Sequence, residues 1–203
     1  MGFYAKHVLP HVIDLVMRNK DAARLRAGLV PQASGDVLEV GIGPGLNLPF
    51  YSGNVNGVYG VDPSIELQRM DRERATVQSV NVEFLCQKAE EALSLKDESI
   101  DTIVMTWTLC SVADPAKVLN QMRRVLKPNG RLLFVEHGWS PNHRVAAWQD
   151  RLTSIWKNIG GGCHLNRKAA ELIQSAGFQI IEVKNFYLPG PHPMTYTYEG
   201  AAI

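Results

Sequence analysis

Glycine occupies every second position in Gly41-Ile42-Gly43-Pro44-Gly45, directly after the apolar run Val37-Leu38-Glu39-Val40. Without a Cβ, such a turn lets backbone N–H groups approach a ligand closely. The next apolar run, Val58-Tyr59-Gly60-Val61, ends on a carboxylate, Asp62, followed by Pro63. In a doubly wound sheet a carboxylate at that position accepts hydrogen bonds from ribose hydroxyls. Together the two features imply a nucleoside ligand, although the turn alone could be no more than a tight link between strand and helix. The spacing also excludes something. The dinucleotide fingerprint G-x-G-x-x-G needs glycine at position 46, where the chain has Leu46, and Glu39 just before the turn would repel a pyrophosphate.

A second group of side chains with chemical potential lies in the last third of the chain. His137 emerges at the carboxyl end of the apolar run Arg131 to Glu136, and His164 sits beside Gly160-Gly161-Gly162. Each is a candidate general base, His137 first, and each reads equally well as a structural histidine bonded to the backbone. Cys163 has no base with an orienting partner around it in sequence, so it reads as a packing cysteine rather than a nucleophile, and is expected in the wall of the acceptor pocket. Trp148 and Trp156 fall on one predicted helix, nearly on one face, and could wall an apolar acceptor pocket or belong to the core. Arg167, with Asn166 as N-cap, is expected to begin a helix through Ile173 and to secure the glycine segment rather than bind an anion. Cys86, Cys110 and Cys163 are isolated, with no C-x-x-C pair. That pattern argues for a reducing compartment over a disulfide framework or a zinc site, and no metal is expected.

These residues must be positioned by alternating strands and helices. Residues 3 to 30 read as one or two amphipathic helices, from Val8, Leu9, Val12, Ile13, Val16 and Met17 at three- and four-residue spacing, continued by Ala22, Leu25 and Leu29. This segment could lie on a membrane surface, but its apolar face is more simply a lid over the edge of the ligand site. Pro31 to Gly35 breaks it. A helical turn is expected over Leu46 to Tyr51, strands over Val55 to Val61 and Val82 to Leu85, and a helix over Ile65 to Gln78 capped by Ser64. Ala89 to Leu93 reads as a short helix or loop. Ile100 to Met105 has the continuous apolar character of a buried parallel strand. Pro115 to Leu126 follows as helix, Lys127-Pro128-Asn129-Gly130 as a turn, and Arg131 to Glu136 as strand. Such a β-α repeat means an α/β fold, a doubly wound, mostly parallel sheet with helices on both faces.

Composition sets the outer bounds. The chain has 203 residues, 45% hydrophobic and 20% charged, enough for one domain with a sizeable core. With 21 Lys+Arg against 20 Asp+Glu the net charge is +1, so no basic field points to nucleic acid. The expected partner is a small molecule. The apolar residues near the start are broken by Lys6, His7, His11 and Asp14 and do not read as a signal peptide. No apolar run is long enough to cross a membrane. The expected location is the cytoplasm.

The pattern acidic-x-G-x-G-x-G, from Glu39 to Gly45, resembles motif I of the class I S-adenosylmethionine-dependent methyltransferases. The resemblance implies that this loop backs the methionine and ribose moieties of S-adenosyl-L-methionine, with Asp62 on the ribose. A carboxylate at Glu39 favours a ligand carrying an ammonium and a sulfonium. Gln87-Lys88-Ala89-Glu90 falls where the family often carries G-D-A-E, which implies adenine contacts at Ala89 and Glu90, with Lys88 in place of the usual aspartate. Thr106-Trp107-Thr108-Leu109-Cys110-Ser111-Val112 follows the fourth strand and should border both ligands, Thr106 and Leu109 the cofactor, Cys110 the acceptor. Val125 to Arg131 resembles the family's L-K-P-G-G turn. The implied fold is Rossmann-like with an amino-terminal helical lid. The implied division is one domain over 1–203, with the lid at 1–30, the cofactor core at 37–136, and acceptor-side helices and strands at 137–203.

Two subfamilies fit. The ubiquinone/menaquinone C-methyltransferases are similar over residues 37 to 136. The methyltransferase-like alkyl-thiol S-methyltransferases are also similar in Leu109-Cys110-Ser111-Val112, in Glu136-His137, and in a Gly-Cys-x-Leu-x-Arg segment matched by Gly162, Cys163, Leu165 and Arg167. The apolar membrane anchor of those animal proteins is not matched, so lipid association is not carried over. The expected activity is methyl transfer to a small acceptor, a thiol or sulfide, leaving S-adenosyl-L-homocysteine. The alternatives are C- or O-methylation of a quinone or phenol precursor, or S-adenosylmethionine binding without turnover.

Overall fold

The computed structural model describes residues 8–69 and 80–203. It opens with two helices, α1 (Leu9–Met17) and α2 (Lys20–Leu29). Pro10 sits in the first turn of α1, where its missing N–H costs nothing, and the Asn19 side chain caps α2 by accepting from Ala22 N. The expected helical residues 3–7 lie outside the described residues. Four parallel strands follow, β1 (Gly35–Val40), β2 (Val55–Val61), β3 (Val82–Leu85) and β4 (Ile100–Thr106). A 3-10 turn, Leu48–Phe50, fills the place of the expected helical turn. Residues 65–69 begin the helix expected after Ser64, and the part of that expectation over 70–78 lies outside the described residues.

The second half contains α3 (Pro115–Val125), β5 (Leu126–His137), α4 (His143–Ile159), α5 (Ala169–Ser175), β6 (Ile180–Tyr187), α6 (His192–Thr195) and β7 (Tyr196–Ala202). Asp114 caps α3 through Lys117 N, and Asn142 caps α4 through Arg144 N and Val145 N. The expected turn at 127–130 is absorbed into β5, whose pairing with β4 jumps from Ile100↔Leu126 to Thr102↔Arg131. The extra residues form an irregularity in one strand rather than a break between two elements. Asn166 does not cap the following helix. Its amide donates to Asp150 on α4, and α5 starts only at Ala169.

Among the described residues the sheet has seven strands in the order β3-β2-β1-β4-β5-β7-β6, with β7 running opposite to the other six. Alternate side chains leave a strand on opposite faces, so each strand feeds two cores. Leu38, Val40, Ile103, Met105, Leu132 and Phe134 join the cluster on one face. Val37, Val104, Leu133 and Val135 join the cluster on the other. Burial on both faces is why β4 and β5 read as nearly continuous apolar runs. The register aligns Val40 with Val61, Val61 with Leu85 and Thr106 with Val135, so the carboxyl ends of β1 to β5 form one edge. In an open α/β sheet ligands bind outside that edge, where strand order reverses, here between β1 and β4.

Closure by β7 depends on Gly200, which pairs with both Phe134 and Val183. A Cβ there would strike the Glu182 carbonyl oxygen and come within 2.9 Å of the Phe134 ring. Gly200→Ala is expected to cost roughly 1–3 kcal/mol of stability by overpacking, measured as a lower urea midpoint with unchanged slope.

Candidate active site

At the end of β1 the chain turns through Gly41, Gly43 and Gly45, all at positive φ. At Gly43 (φ 56°) the space a Cβ would take has only the Gly41 carbonyl oxygen nearby, at 3.8 Å, so backbone lines an open cradle there. At Gly41 the same space is filled by Thr108, which ties the turn to the segment after β4. Asp62 fixes the cradle from β2. One of its carboxylate oxygens accepts from Gly43 N (3.2 Å) and the other from Ser64 N (2.8 Å), leaving further lone pairs on both. Burial pushes this carboxyl up to about 6, against the two N–H groups that pull it down. Gln68 donates to the Asp62 carbonyl oxygen and holds the strand end in place.

Glu39 lies behind this turn rather than in it. It is 1% exposed, with one oxygen accepting from Asn47 Nδ2 (2.9 Å) and the other from Tyr51 OH (2.6 Å). Asn47 also donates to Thr106 Oγ1 and accepts from Arg26 Nε (3.0 Å). Arg26 is a buried cation on α2 that also donates to Met17 O and lies 4.9 Å over the Trp107 ring. Burial raises the Glu39 carboxyl to about 7, against the bonds from Tyr51 and Asn47 and the charge of Arg26. Burial likewise lowers Arg26 to about 10, against the charge of Glu39. Trp107 takes a φ of 52°, rare for an aromatic residue, and is anchored by its N–H to Val135 O at 2.7 Å. Arg26, Asn47 and Tyr51 were not marked by any sequence pattern; each matters through a long-range partner.

Pro63 is exposed beside Asp62, and Ala89 is buried. Glu90 uses an oxygen to accept from Ala113 N at 2.8 Å, so its carboxylate holds the two loops together. Leu109 is fully buried and joins the hydrophobic core, with its N–H on Glu136 and its carbonyl oxygen on Arg167. That segment is organised by Glu136. Its carboxylate accepts from the N–H groups of Thr108 (2.7 Å), Leu109 (2.8 Å) and Cys110 (3.3 Å). Burial holds the Glu136 carboxyl well above its ordinary range, and the Cys110 charge adds to this, while the three N–H groups oppose it. The available sequence signal was an acidic residue ending the otherwise apolar run Leu132 to Val135.

Beyond Glu136 the acceptor-side residues converge. Cys110 follows β4, His137 ends β5, and Cys163 follows the glycines after α4. His137 Nε2 lies 3.0 Å from Cys163 Sγ, and the donor atoms of all three residues lie within 4.8 Å of one another. A hydrogen bond from Cys163 holds the Cys110 thiol well below its usual range against the effect of burial, with His137 adding to the shift. The same bond, with burial, pushes Cys163 up. Burial would lower His137, but the charge and hydrogen bond of Cys110 raise it overall. Arg167 donates to the carbonyl oxygens of Leu109 and Val112 (2.7 Å to the latter), so it clamps the segment after β4. Burial lowers its guanidinium, against the charges of Cys110 and Glu136. Backbone N–H of His164 donates to Cys110 O (2.8 Å), while its ring Nδ1 is buried without a partner.

The two tryptophans separate. Trp156 packs on the Cys110, Cys163 and Leu165 cluster, whereas Trp148 is 54% exposed with Arg151 lying 5.7 Å from its ring. Trp148 therefore does not share an acceptor wall with Trp156. Eight residues at about 100° each leave the pair about 80° apart around the helix, enough to turn one outward. Their neighbour Gln149 faces inward, donating to Gly138 O and accepting from Ser140 N.

Residues 38–134 match the family model of the methyltransferase domain. The chain is 38% identical over 167 residues to the thiol S-methyltransferase TMT1B of Rattus norvegicus, covering 78% of this chain and 68% of that protein. The chain belongs to the S-adenosylmethionine-dependent methyltransferases. It is also 24% identical to the ubiquinone/menaquinone biosynthesis C-methyltransferase UbiE of Campylobacter jejuni, over 90% of this chain and 86% of that protein. A methyltransferase structure from Aquifex aeolicus has the same fold, with a TM-score of 0.64 at 21% identity over 95% and 97% of the two chains.

The residues present fit the methyltransferase cofactor. Gly43 leaves the room that a nucleoside needs, and the buried Asp62 carboxylate has lone pairs free for a ribose diol. Asp62→Ala is expected to weaken S-adenosylhomocysteine binding by about 1–3 kcal/mol through lost charge-assisted hydrogen bonds, measured by calorimetry. In the ligand-free protein the raised pKa means that Asp62 is protonated below about 6 and ionised above it, and diol binding draws the group toward the carboxylate. Affinity should be flat above pH 7 and fall by up to about tenfold per pH unit below the pKa. In Asp62→Asn the same titration should be flat throughout.

Proposed function

We propose that this methyltransferase transfers the methyl group of S-adenosylmethionine to the sulfur of a small apolar thiol. One observation carries the reading. The three segments that resemble the thiol S-methyltransferases, Leu109 to Val112, Glu136-His137 and Gly162 to Arg167, fold against one another, bringing Cys110, His137 and Cys163 into one sulfur–imidazole cluster. The identity to a protein named as a thiol S-methyltransferase supports the same acceptor.

The cofactor supplies a methyl group made electrophilic by its sulfonium. The protein's share is then alignment and exclusion of water. Asp62 and the Gly41 to Gly45 turn hold the nucleoside, while Glu39, through Asn47 and Tyr51, keeps that turn rigid. Thr106, Pro63, Ala89 and Glu90 border the cofactor, and the backbone at Leu109 passes from the cofactor side to the acceptor side. Cys110, Cys163 and Trp156 line the acceptor side, with Leu165 beneath them. A thiol with a pKa of about 8.5 is already a few per cent thiolate at neutral pH, so a site that receives the anion suffices. His137 serves that purpose by holding the sulfur pair, since its Nε2 is engaged by Cys163. His164 is the second imidazole at this border.

We read the whole chain as one methyltransferase domain, with α1 and α2 as its lid. Arg26 ties α2 to the cofactor turn, and Leu9 and Ile13 of α1 approach the Gly161 position of the acceptor-side loop. No described helix is long and apolar enough to cross a membrane.

The test is turnover with S-adenosylmethionine against alkyl thiols, phenols and quinols, reading S-adenosylhomocysteine and methylated product together. Alkyl thiols are expected to give thioether with one equivalent of S-adenosylhomocysteine. Turnover only with phenols or quinols would replace the acceptor class, and cofactor binding with no product from any acceptor would establish a non-catalytic binding protein.

A further inference from the structure

We infer that Cys110, His137 and Cys163 form a zinc-binding site with one coordination position open to the acceptor's sulfur; the second half of this inference rests on the thiol reading above. The argument is geometric. Three donors whose separations do not exceed 4.8 Å fit inside a circle with a radius of about 2.8 Å. Zinc–sulfur and zinc–nitrogen bonds are about 2.3 and about 2.1 Å, so contractions of well under an ångström bring all three donors to bonding distance. The 3.0 Å contact between His137 Nε2 and Cys163 Sγ would open by about half an ångström to span a tetrahedral edge.

The donors are also held where they are. Each comes from a different element, and each element is braced. Cys110 is fixed by its N–H to Glu136 and by His164 N on its carbonyl oxygen. Cys163 is brought in by Gly162, whose φ of 88° and lack of a Cβ let the loop lie against Ser111 O. His137 is held in the ladder between β5 and β7, opposite Thr197. Both cysteines are buried, so water competes weakly for the ion. Ser111 Oγ lies 3.3 Å from Cys110 Sγ, as an outer partner of a coordinated thiolate does, and Trp156 packs against the cluster. Two thiolates balance the charge of a divalent cation.

Two thiolates and an imidazole are a borderline-soft set that suits zinc, and three protein ligands rather than four are the mark of a site that keeps a position for substrate. The isolated positions of the cysteines along the chain argued against such a site, but spacing in sequence does not limit what a parallel sheet brings to one edge. Zinc uptake releases the two cysteine protons. The acceptor thiol then loses its proton to water as its sulfur takes the open position. In transfer, a lone pair of that sulfur forms the new carbon–sulfur bond, and the electrons of the broken methyl–sulfonium bond stay on the sulfur of S-adenosylhomocysteine. The uncharged thioether is a poor ligand and leaves.

The full chain, stripped of metal by chelation and returned to chelator-free buffer, is titrated with zinc in competition with a chromophoric chelator, and separately with cobalt while the absorption spectrum is recorded. One equivalent of zinc should bind, and cobalt should give intense sulfur-to-metal charge transfer with the visible bands of tetrahedral coordination. Cys110→Ser and Cys163→Ser should each lower zinc affinity at least tenfold and reduce the charge-transfer band, while retaining S-adenosylhomocysteine binding as proof of folding. Cys86→Ser, at an exposed thiol outside the cluster, should leave zinc uptake unchanged. Adding an alkyl thiol should shift the cobalt spectrum. Zinc uptake no greater than that of Cys110→Ser, or a cobalt spectrum without charge transfer, overturns the site. Full-rate thiol methylation by metal-free protein removes the metal's role and leaves the acceptor class standing. A cobalt site whose spectrum ignores thiols overturns the open position.

Discussion

The arrangement depends on one buried carboxylate. Glu136 has no exposed surface, and its two oxygens take the N–H groups of Thr108, Leu109 and Cys110. Burying an ionisable group without partners would cost several kcal/mol, and these three bonds are what make it tolerable. In return they fix the bend by which the chain leaves β4. That bend has two sides. Thr108 packs where a Cβ on Gly41 would be, so one side sets the cofactor turn, and Cys110 reaches toward Cys163 and His137, so the other side sets the acceptor cluster. On the function proposed above, this single hydrogen-bonded loop sets the distance between the two ligands, as in-line transfer requires.

The other buried ionisable groups repeat this economy. Glu39 and Arg26 are both nearly inaccessible and both shifted toward neutrality by burial, yet each is connected through Asn47. The network links α2 to the turn after β1, so whatever moves the amino-terminal helices also acts on the cofactor side. Asp62 stands apart. Its oxygens hold only two N–H groups, so its desolvation is left partly uncompensated.

Much of this was legible in the sequence, for identifiable reasons. The strands around the site, the Gly41 to Gly45 turn and Asp62 are local patterns, because a parallel strand buried on both faces must be apolar and a close-approach turn must be glycine. Glu136 and Arg167 were visible as residues but not as partners, since their meaning lies in backbone groups far away along the chain. Arg26, a charged residue next to the apolar Leu25, is a buried cation that no local pattern marks. Trp148 and Trp156 show the limit of periodicity, because an offset of about 80° on a helix decides between solvent and core. The convergence of Cys110 and Cys163 has no sequence signature at all. Strand order places Cys110, after β4, beside His137 at the end of β5, and the glycine loop after α4 then lays Cys163 against the same segment.

The most direct measurement is a crystal structure of the protein with S-adenosylhomocysteine and an alkyl thiol bound together. The account predicts the thiol sulfur in contact with the Cys110–His137–Cys163 cluster and facing the cofactor sulfur across the gap that one methyl group fills, with Asp62 on the ribose diol. A thiol bound away from that cluster, or a cofactor whose ribose does not touch Asp62, would contradict it.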